Sequence, residues 1–220
     1  MQNFSVFDII GPRMIGPSSS HTAGAARLAH VAWKLAGGDV KRAELTLYGS
    51  FAETGRGHGT DKALVAGILG MEPDDENLRV SIELAKERGV DVRIIFSDEP
   101  VEQPNTARIK TVNSKGEVSE LVGASVGGGN ILVTELNGMK LKFTGEYPTL
   151  VIRHHDVPGV INNVTGILAK EQINVAFMRV FRHARRQDAY MIIETDTPVP
   201  QRTKDLINDW CSEITEVKTL

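Results

Sequence analysis

Apolar and polar positions change period several times along the chain, and each change predicts an element. Ala25 to Ala36 reads as a helix that Gly37-Gly38 stops. Arg42 to Tyr48 alternates as a strand, and Thr60 to Leu69 returns to helical spacing. Asn77 to Arg88 predicts a second long helix closed by Gly89, followed by the strand Val90 to Phe96. Thr106 to Val112 and Val118 to Gly123 predict a hairpin turning through Asn113-Ser114-Lys115-Gly116, with a further strand beginning near Ile131.

From Tyr147 the pattern becomes a compact alternation with its own turn signals. It reads strand (149–153), helix (158–170), strand (174–183), strand (189–195), helix (201–209), strand (214–220). This βαββαβ order predicts an antiparallel sheet with two helices on one face, the ferredoxin-like arrangement. The expected fold class is α+β, with a mixed α+β domain over 1–145 and a ferredoxin-like domain over 148–220. The boundary is expected at Phe143-Thr144-Gly145-Glu146-Tyr147-Pro148. Arg182-His183-Ala184-Arg185-Arg186-Gln187 joins the central hairpin and reads as a solvated turn.

Composition narrows the function classes. A content of 41% hydrophobic and 24% charged residues over 220 residues suits a soluble globular protein. A net charge of -3 gives no electrostatic pull toward nucleic acid. The opening Met1-Gln2-Asn3-Phe4-Ser5-Val6-Phe7-Asp8 lacks a basic n-region before an apolar run, and no segment is long enough to cross a bilayer, so a cytoplasmic protein is expected. Cys211 is the sole cysteine, which excludes an internal disulfide, an all-thiolate zinc site and an iron-sulfur cluster held by this chain alone. No His-Glu-x-x-His pattern occurs, and His21, His30 and His58 lack a convincing set of local metal-binding partners.

Three segments are candidates for chemistry. Gly16-Pro17-Ser18-Ser19-Ser20-His21-Thr22-Ala23-Gly24 crowds four hydroxyls and an imidazole at a helix entrance. The free amides and positive dipole end of such an entrance suit a carboxylate or phosphate, and redundant N-capping is the plainer reading. Gly55-Arg56-Gly57-His58-Gly59-Thr60-Asp61 reads as a glycine loop between strand and helix, with Thr60 or Asp61 capping the helix and His58 protruding. Two such entrances facing one cleft would form an anion site with two proton-transfer groups. Gly123-Ala124-Ser125-Val126-Gly127-Gly128-Gly129-Asn130 lacks the ending of a P-loop and the setting of a dinucleotide fingerprint. It is a bulge or hairpin feature or a ligand-facing backbone surface.

Together these motifs, with the Ser5-Val6-Phe7-Asp8 opening and Leu47-Tyr48-Gly49-Ser50-Phe51-Ala52, resemble the beta chain of bacterial iron-sulfur-dependent L-serine dehydratase. Asp156-Val157-Pro158-Gly159-Val160 and Ile173-Asn174-Val175 independently resemble an ACT domain, a small ferredoxin-like module that often binds amino acids and pairs with a second copy. The first resemblance implies a lyase of amino-acid degradation and gluconeogenesis that converts L-serine to pyruvate and ammonia. It also implies a 4Fe-4S cluster as Lewis acid on the leaving hydroxyl. In that family the cluster cysteines belong to an alpha chain, or to the other half of a fused single chain, so an isolated beta chain is expected to be inactive. Catalytic roles fall on His21 and His58. Substrate binding falls on Ser18, Ser19, Ser20, Thr22, Gly57, Thr60 and Asp61.

The resemblance to serine-sensing ACT modules carries an effector site to His154, Asp156 and Asn174. Asp156 stands where those modules have asparagine, and a carboxylate accepts hydrogen bonds only, so it would favour the ligand's ammonium. Strand alternation predicts His154 and Asp156 on one face with His155 opposite. The expected partners are the iron-sulfur alpha chain, L-serine and a second copy of this chain, with neither nucleic acid nor membrane. Two alternatives remain: a free-standing amino-acid-binding regulator, and a metal-independent hydrolase, which is weak because no nucleophile elbow or Ser-His-Asp set emerges.

Overall fold

The computed structural model describes residues 13–220, so the Ser5-Val6-Phe7-Asp8 motif lies outside the described residues. The backbone groups into two compact units, divided between Gly138 and Met139.

In the first unit, the side chain and carbonyl of Ser18 accept from the amides of His21 and Thr22. This starts a π-helical turn over Ser19–Gly24 that runs directly into α1 (Ala25–Leu35). The helical path therefore begins well before the first apolar repeat, because a hydroxyl cap rather than hydrophobic spacing sets its origin. Gly37 and Gly38, with φ of 82° and 78°, end it as expected.

β1 (Val40–Gly49) leads into α2 (Ser50–His58), and α3 (Thr60–Ile68) follows after Gly59 alone. The predicted glycine loop is thus corrected: Gly55-Arg56-Gly57-His58 is the last turn of a helix, and the chain breaks only at Gly59, whose φ of 71° suits glycine. A 3-10 turn (Glu76–Val80) precedes α4 (Ser81–Glu87). This corrects the single long helix expected from Asn77 to Arg88. The Asp75 carboxylate accepts from the Asn77 amide and tightens the first turn, and Ser81 donates its hydroxyl to the Lys62 carbonyl at 2.7 Å.

The strands β2 (Asp91–Phe96), β3 (Asn105–Asn113), β4 (Val118–Gly127) and β5 (Asn130–Leu136) complete the sheet of this unit in the order β2-β1-β3-β4-β5, and β6 (Met139–Phe143) opens the second unit. β1 pairs parallel with β2 and antiparallel with β3. The third glycine segment is a bulged hairpin: β4 continues to Gly127, and Gly128-Gly129 make the turn. Leu45, Leu47, Ala107, Ile109, Leu121 and Val133 form the buried sheet face together with Leu28, Phe51, Leu64 and Ile68 of the helices. α1 and α3 approach so closely that a Cβ at Gly67 would stand 2.2 Å from the Ala26 carbonyl oxygen.

The second unit has β7 (Thr149–His155), α5 (Val160–Lys170), β8 (Val175–Arg182), β9 (Asp188–Thr195), α6 (Gln201–Trp210) and β10 (Ile214–Thr219). Its sheet order β10-β7-β9-β8, with antiparallel pairs throughout, is the ferredoxin-like arrangement expected from the sequence. Leu150, Ile152, Met191 and Ile193 pack against Val160, Val164, Leu168, Ile207 and Cys211 in one apolar core. No helix among the described residues is long and apolar enough to cross a membrane.

Candidate functional site

The serine turn and the end of α2 meet through their histidines. His21, 9% exposed, lies edge-on to His58, with ring centroids 4.8 Å apart, and edge-on to Phe51 at 5.3 Å. Its Nε2 is 3.1 Å from Ser50 Oγ and 3.0 Å from Thr54 Oγ1, and its Nδ1 is 3.4 Å from Ser18 Oγ. Ser50 and Thr54 present their hydroxyls to one imidazole because they are one helical turn apart on α2.

The hydroxyl network favours one tautomer. Thr54 Oγ1 donates its one proton to the Ser50 carbonyl at 2.8 Å, so toward His21 it can only accept. In the tautomer that matches this bond, Nε2 carries the imidazole proton and Nδ1 keeps a lone pair facing the Ser18 hydroxyl. Burial lowers the His21 pKa from the usual imidazole value; the Ser50 backbone opposes that shift and the neighbouring His58 adds to it. A neutral imidazole with a free lone pair beside hydroxyls is competent for proton transfer near neutral pH.

A cleft of about 550 Å³ opens beside this pair. Gly16, Pro17 and Thr22 line it from the serine turn, Arg56, Gly57, His58 and Gly59 from the α2–α3 junction, and Lys62 and Arg79 complete its cationic wall. Thr22 is 1% exposed, and its Oγ1 has no hydrogen-bond partner among the described residues.

The expected site residues separate into groups. His21, Ser18 and His58 come together, and Thr22 and Gly57 line the adjoining cleft. Ser19 and Ser20 are half-buried on the same turn. Thr60 is fully buried, and α3 has no side-chain cap, so the capping role expected of Thr60 or Asp61 is corrected. Asp61 Oδ1 instead accepts from the adjacent Lys62 amide, because the left-handed Gly59 already sits at the cap position.

Sequence reasoning missed Ser50, Thr54, Arg56, Lys62 and Arg79. The i, i+4 spacing of Ser50 and Thr54 becomes a usable signal only once 50–58 is known to be helix. It also missed two buried polar atoms without partners, Asn105 Oδ1 and Ser125 Oγ. Asn105 at the start of β3 pairs with Gly49 of β1, and its neighbour Thr106 pairs with Ala124, next to Ser125 on β4. Ser125 packs on the serine turn where Gly24 has no side chain: a Cβ there would lie 2.0 Å from Ser125 Oγ.

In the second unit the three expected effector residues do not converge within one chain. His154 is buried; its Nδ1 is 2.9 Å from the His155 carbonyl oxygen and its Nε2 has no partner. His155 is exposed on the other side of β7, as the alternation predicted. Asp156 lies past the strand end and accepts from Arg182 Nη1 at 2.7 Å and from the Arg186 amide at 3.4 Å. Those bonds hold its carboxyl below the usual carboxylate range, with Arg182 the largest cause. The turn expected to be merely solvated thus anchors Asp156 and, through Arg182, Arg185 and Arg186, lines a second cleft of about 360 Å³. Asn174 donates to Asp196 Oδ2 at 2.7 Å at the opposite end of the sheet: His154 pairs with Ala189, whereas Val175 pairs with Thr195. About six residues of strand, roughly 20 Å, separate the two ends.

The donor chemistry does not fit an iron-sulfur cluster held by this chain. Cys211 is 1% exposed in the apolar core of the second unit, where burial raises its thiol pKa, and one thiol cannot ligate such a cluster. Among the described residues no three His, Cys, Asp or Glu side chains are grouped to hold a metal ion.

Residues 5–136 match the family described as serine dehydratase beta chain, and residues 149–209 match the ACT domain. A Bacillus subtilis (strain 168) protein named "Probable L-serine dehydratase, beta chain" is 46% identical over 205 residues, covering 93% of each chain. The "L-serine dehydratase, beta chain" of Peptoniphilus asaccharolyticus is 37% identical over 210 residues, covering 94% of each. A D-3-phosphoglycerate dehydrogenase of Synechocystis sp. is 30% identical over 186 residues, which span 84% of this chain but 32% of that protein.

Proposed function

From the premise that the chain belongs to the serine dehydratase beta-chain family and ends in an ACT domain, we propose that it completes the active site of a two-chain L-serine ammonia-lyase. A separate alpha chain supplies the 4Fe-4S cluster, and the pair converts L-serine to pyruvate and ammonia. Alone, this chain is inactive.

The observation that carries this reading is the His21–His58 pair, held by Ser18, Ser50 and Thr54 at the mouth of a cationic cleft. Ser18, Ser19, Ser20 and Thr22, with the amides of their turn, hold the substrate carboxylate at the face that meets the alpha chain. His21 and His58 orient the substrate or move a proton, His21 through the lone pair on Nδ1. Gly57 leaves room for the substrate. Thr60 and Asp61 shape the break that aims His58 rather than touching substrate.

Anaerobic co-expression tests the assignment. Co-purification with a cysteine-rich partner, as a brown complex that releases pyruvate from L-serine, is the expected result. A chain that finds no such partner and binds amino acids alone is the free-standing regulator instead.

The ACT domain senses an amino acid and dimerises. β8 is an edge strand with Phe177 55% and Val180 38% exposed. Antiparallel pairing of two β8 edges would set Asn174 of one copy beside the Arg182 end of the other, where His154 and Asp156 lie. An effector site shared between copies accounts for residues that no single chain brings together. Equilibrium dialysis of the purified chain against L-serine and other amino acids tests it. Saturation by none of them leaves the domain a purely structural role.

A further inference from the structure

The cleft beside His58 is over-provided with positive charge for an amino acid. Among the described residues, Arg56, Lys62 and Arg79 all line it, no carboxylate does, and none of the three forms an ion pair. Arg56 instead lies over the Phe96 ring, 4.7 Å from its centroid. Gathering three unpaired cations around one concavity costs self-repulsion that a bound anion relieves. L-serine carries no net charge, so its binding nearby leaves the positive excess of this wall unbalanced. A single carboxylate would leave most of the excess in place.

Two further features favour a compact, oxygen-rich anion. Gly57 and Gly59 line the cleft at the start of α3, a nine-residue helix, and a Cβ at either would meet nothing within 4 Å. A ligand oxygen can therefore approach the backbone at the positive end of the helix dipole. Independently, Thr22 lines the same cleft while its buried Oγ1 has no partner. A buried hydroxyl left unsatisfied is costly, and a ligand that accepts its proton removes that cost.

We propose that this cleft is a binding site for a phosphate-class dianion, either free phosphate or a small phosphomonoester, held by Arg56, Lys62, Arg79 and the Thr22 hydroxyl. The inference shares Thr22 and Gly57 with the substrate reading but does not rest on it, since it uses no step of the reaction.

Calorimetric titration of the full-length chain at low ionic strength in a chloride buffer tests it. The probes are inorganic phosphate, glycerol 3-phosphate, acetate and L-serine. Phosphate or glycerol 3-phosphate is expected to saturate a single site at least about tenfold more tightly than acetate, and whichever of the two binds better identifies the source of the dianion. Lys62→Gln and Arg79→Gln, whose side chains lie outside the apolar core, should each weaken binding about tenfold with an unchanged circular dichroism spectrum. Added salt should weaken it further. Equal binding of phosphate and either acetate or L-serine, or wild-type affinity in both variants, would overturn the proposal. None of these readouts needs an alpha chain or dehydratase activity, so failure here is distinguishable from failure of the lyase assignment.

Discussion

His21 on the serine turn and His58 at the end of α2 meet edge to face with ring centroids 4.8 Å apart, the first clamped by hydroxyls and the second exposed to solvent. The two rings suit different roles, because a clamped imidazole is held in one orientation, whereas an exposed one is free to meet a ligand.

In the reconstituted two-chain enzyme, His21→Ala and His58→Ala should each lower kcat by about 10²–10⁴-fold. Steady-state assay of pyruvate release measures this. Near-normal turnover in both variants removes the pair from the mechanism.

Stability should fall as the pH drops below about 6.5, the ordinary imidazole value. The folded-state pKa of His21 is depressed, chiefly by burial, so in that window the unfolded chain binds the proton more readily than the native one. The contribution is complete above the unfolded value and is lost as the pH descends through the folded one. Urea titrations from about pH 7.5 down to about pH 5 should show this slope in the wild type and a shallower one in His21→Gln.

Thr22→Val should separate stability from function. The Thr22 hydroxyl has no partner among the described residues, so an isosteric apolar replacement should leave the melting temperature unchanged or slightly raised. Anion affinity and lyase activity should both fall. A large loss of stability would mean that the hydroxyl has a structural role.

Gly67→Ala should destabilise the first unit by about 1–3 kcal/mol. Its Cβ would press on the backbone at Ala26, which cannot swing aside as a side chain could. Calorimetry should register a fall of several degrees, about 2–4 °C per kcal/mol for a chain of this size.

For the second unit, His154→Ala and Asn174→Ala should each abolish effector binding, because they stand at opposite ends of one sheet. Mixing the two variants before dialysis should restore one intact site per mixed dimer. Failure to recover any binding argues against a site shared between copies.

Much of this architecture is legible in the residue pattern. The βαββαβ order of the second unit follows from strong period changes, and each element appears within a few residues of its expected place. The Gly37-Gly38 stop and the β3–β4 hairpin are equally plain. Two elements depart from the pattern for local reasons. Glycines at 55, 57 and 59 suggest a loop, yet two of them fit inside a helix because Phe51 and Gly55 are buried against the sheet. The helix expected over 77–88 splits at Val80, because side-chain bonds from Asp75 and Ser81 set the geometry of its first half.

The sequence by itself determined which residue types are available: a hydroxyl-rich turn, two histidines near glycines, one cysteine and no metal-binding spacing. Those are properties of composition and local order, which act over one or two turns of chain. Only the tertiary structure decided that Ser50 and Thr54 clamp His21, that Arg56, Lys62 and Arg79 share a cleft with Thr22, and that Asn174 stands away from His154. These relationships depend on which strands are neighbours and how closely the helices pack across the sheet, and no periodicity along a single chain encodes that distance.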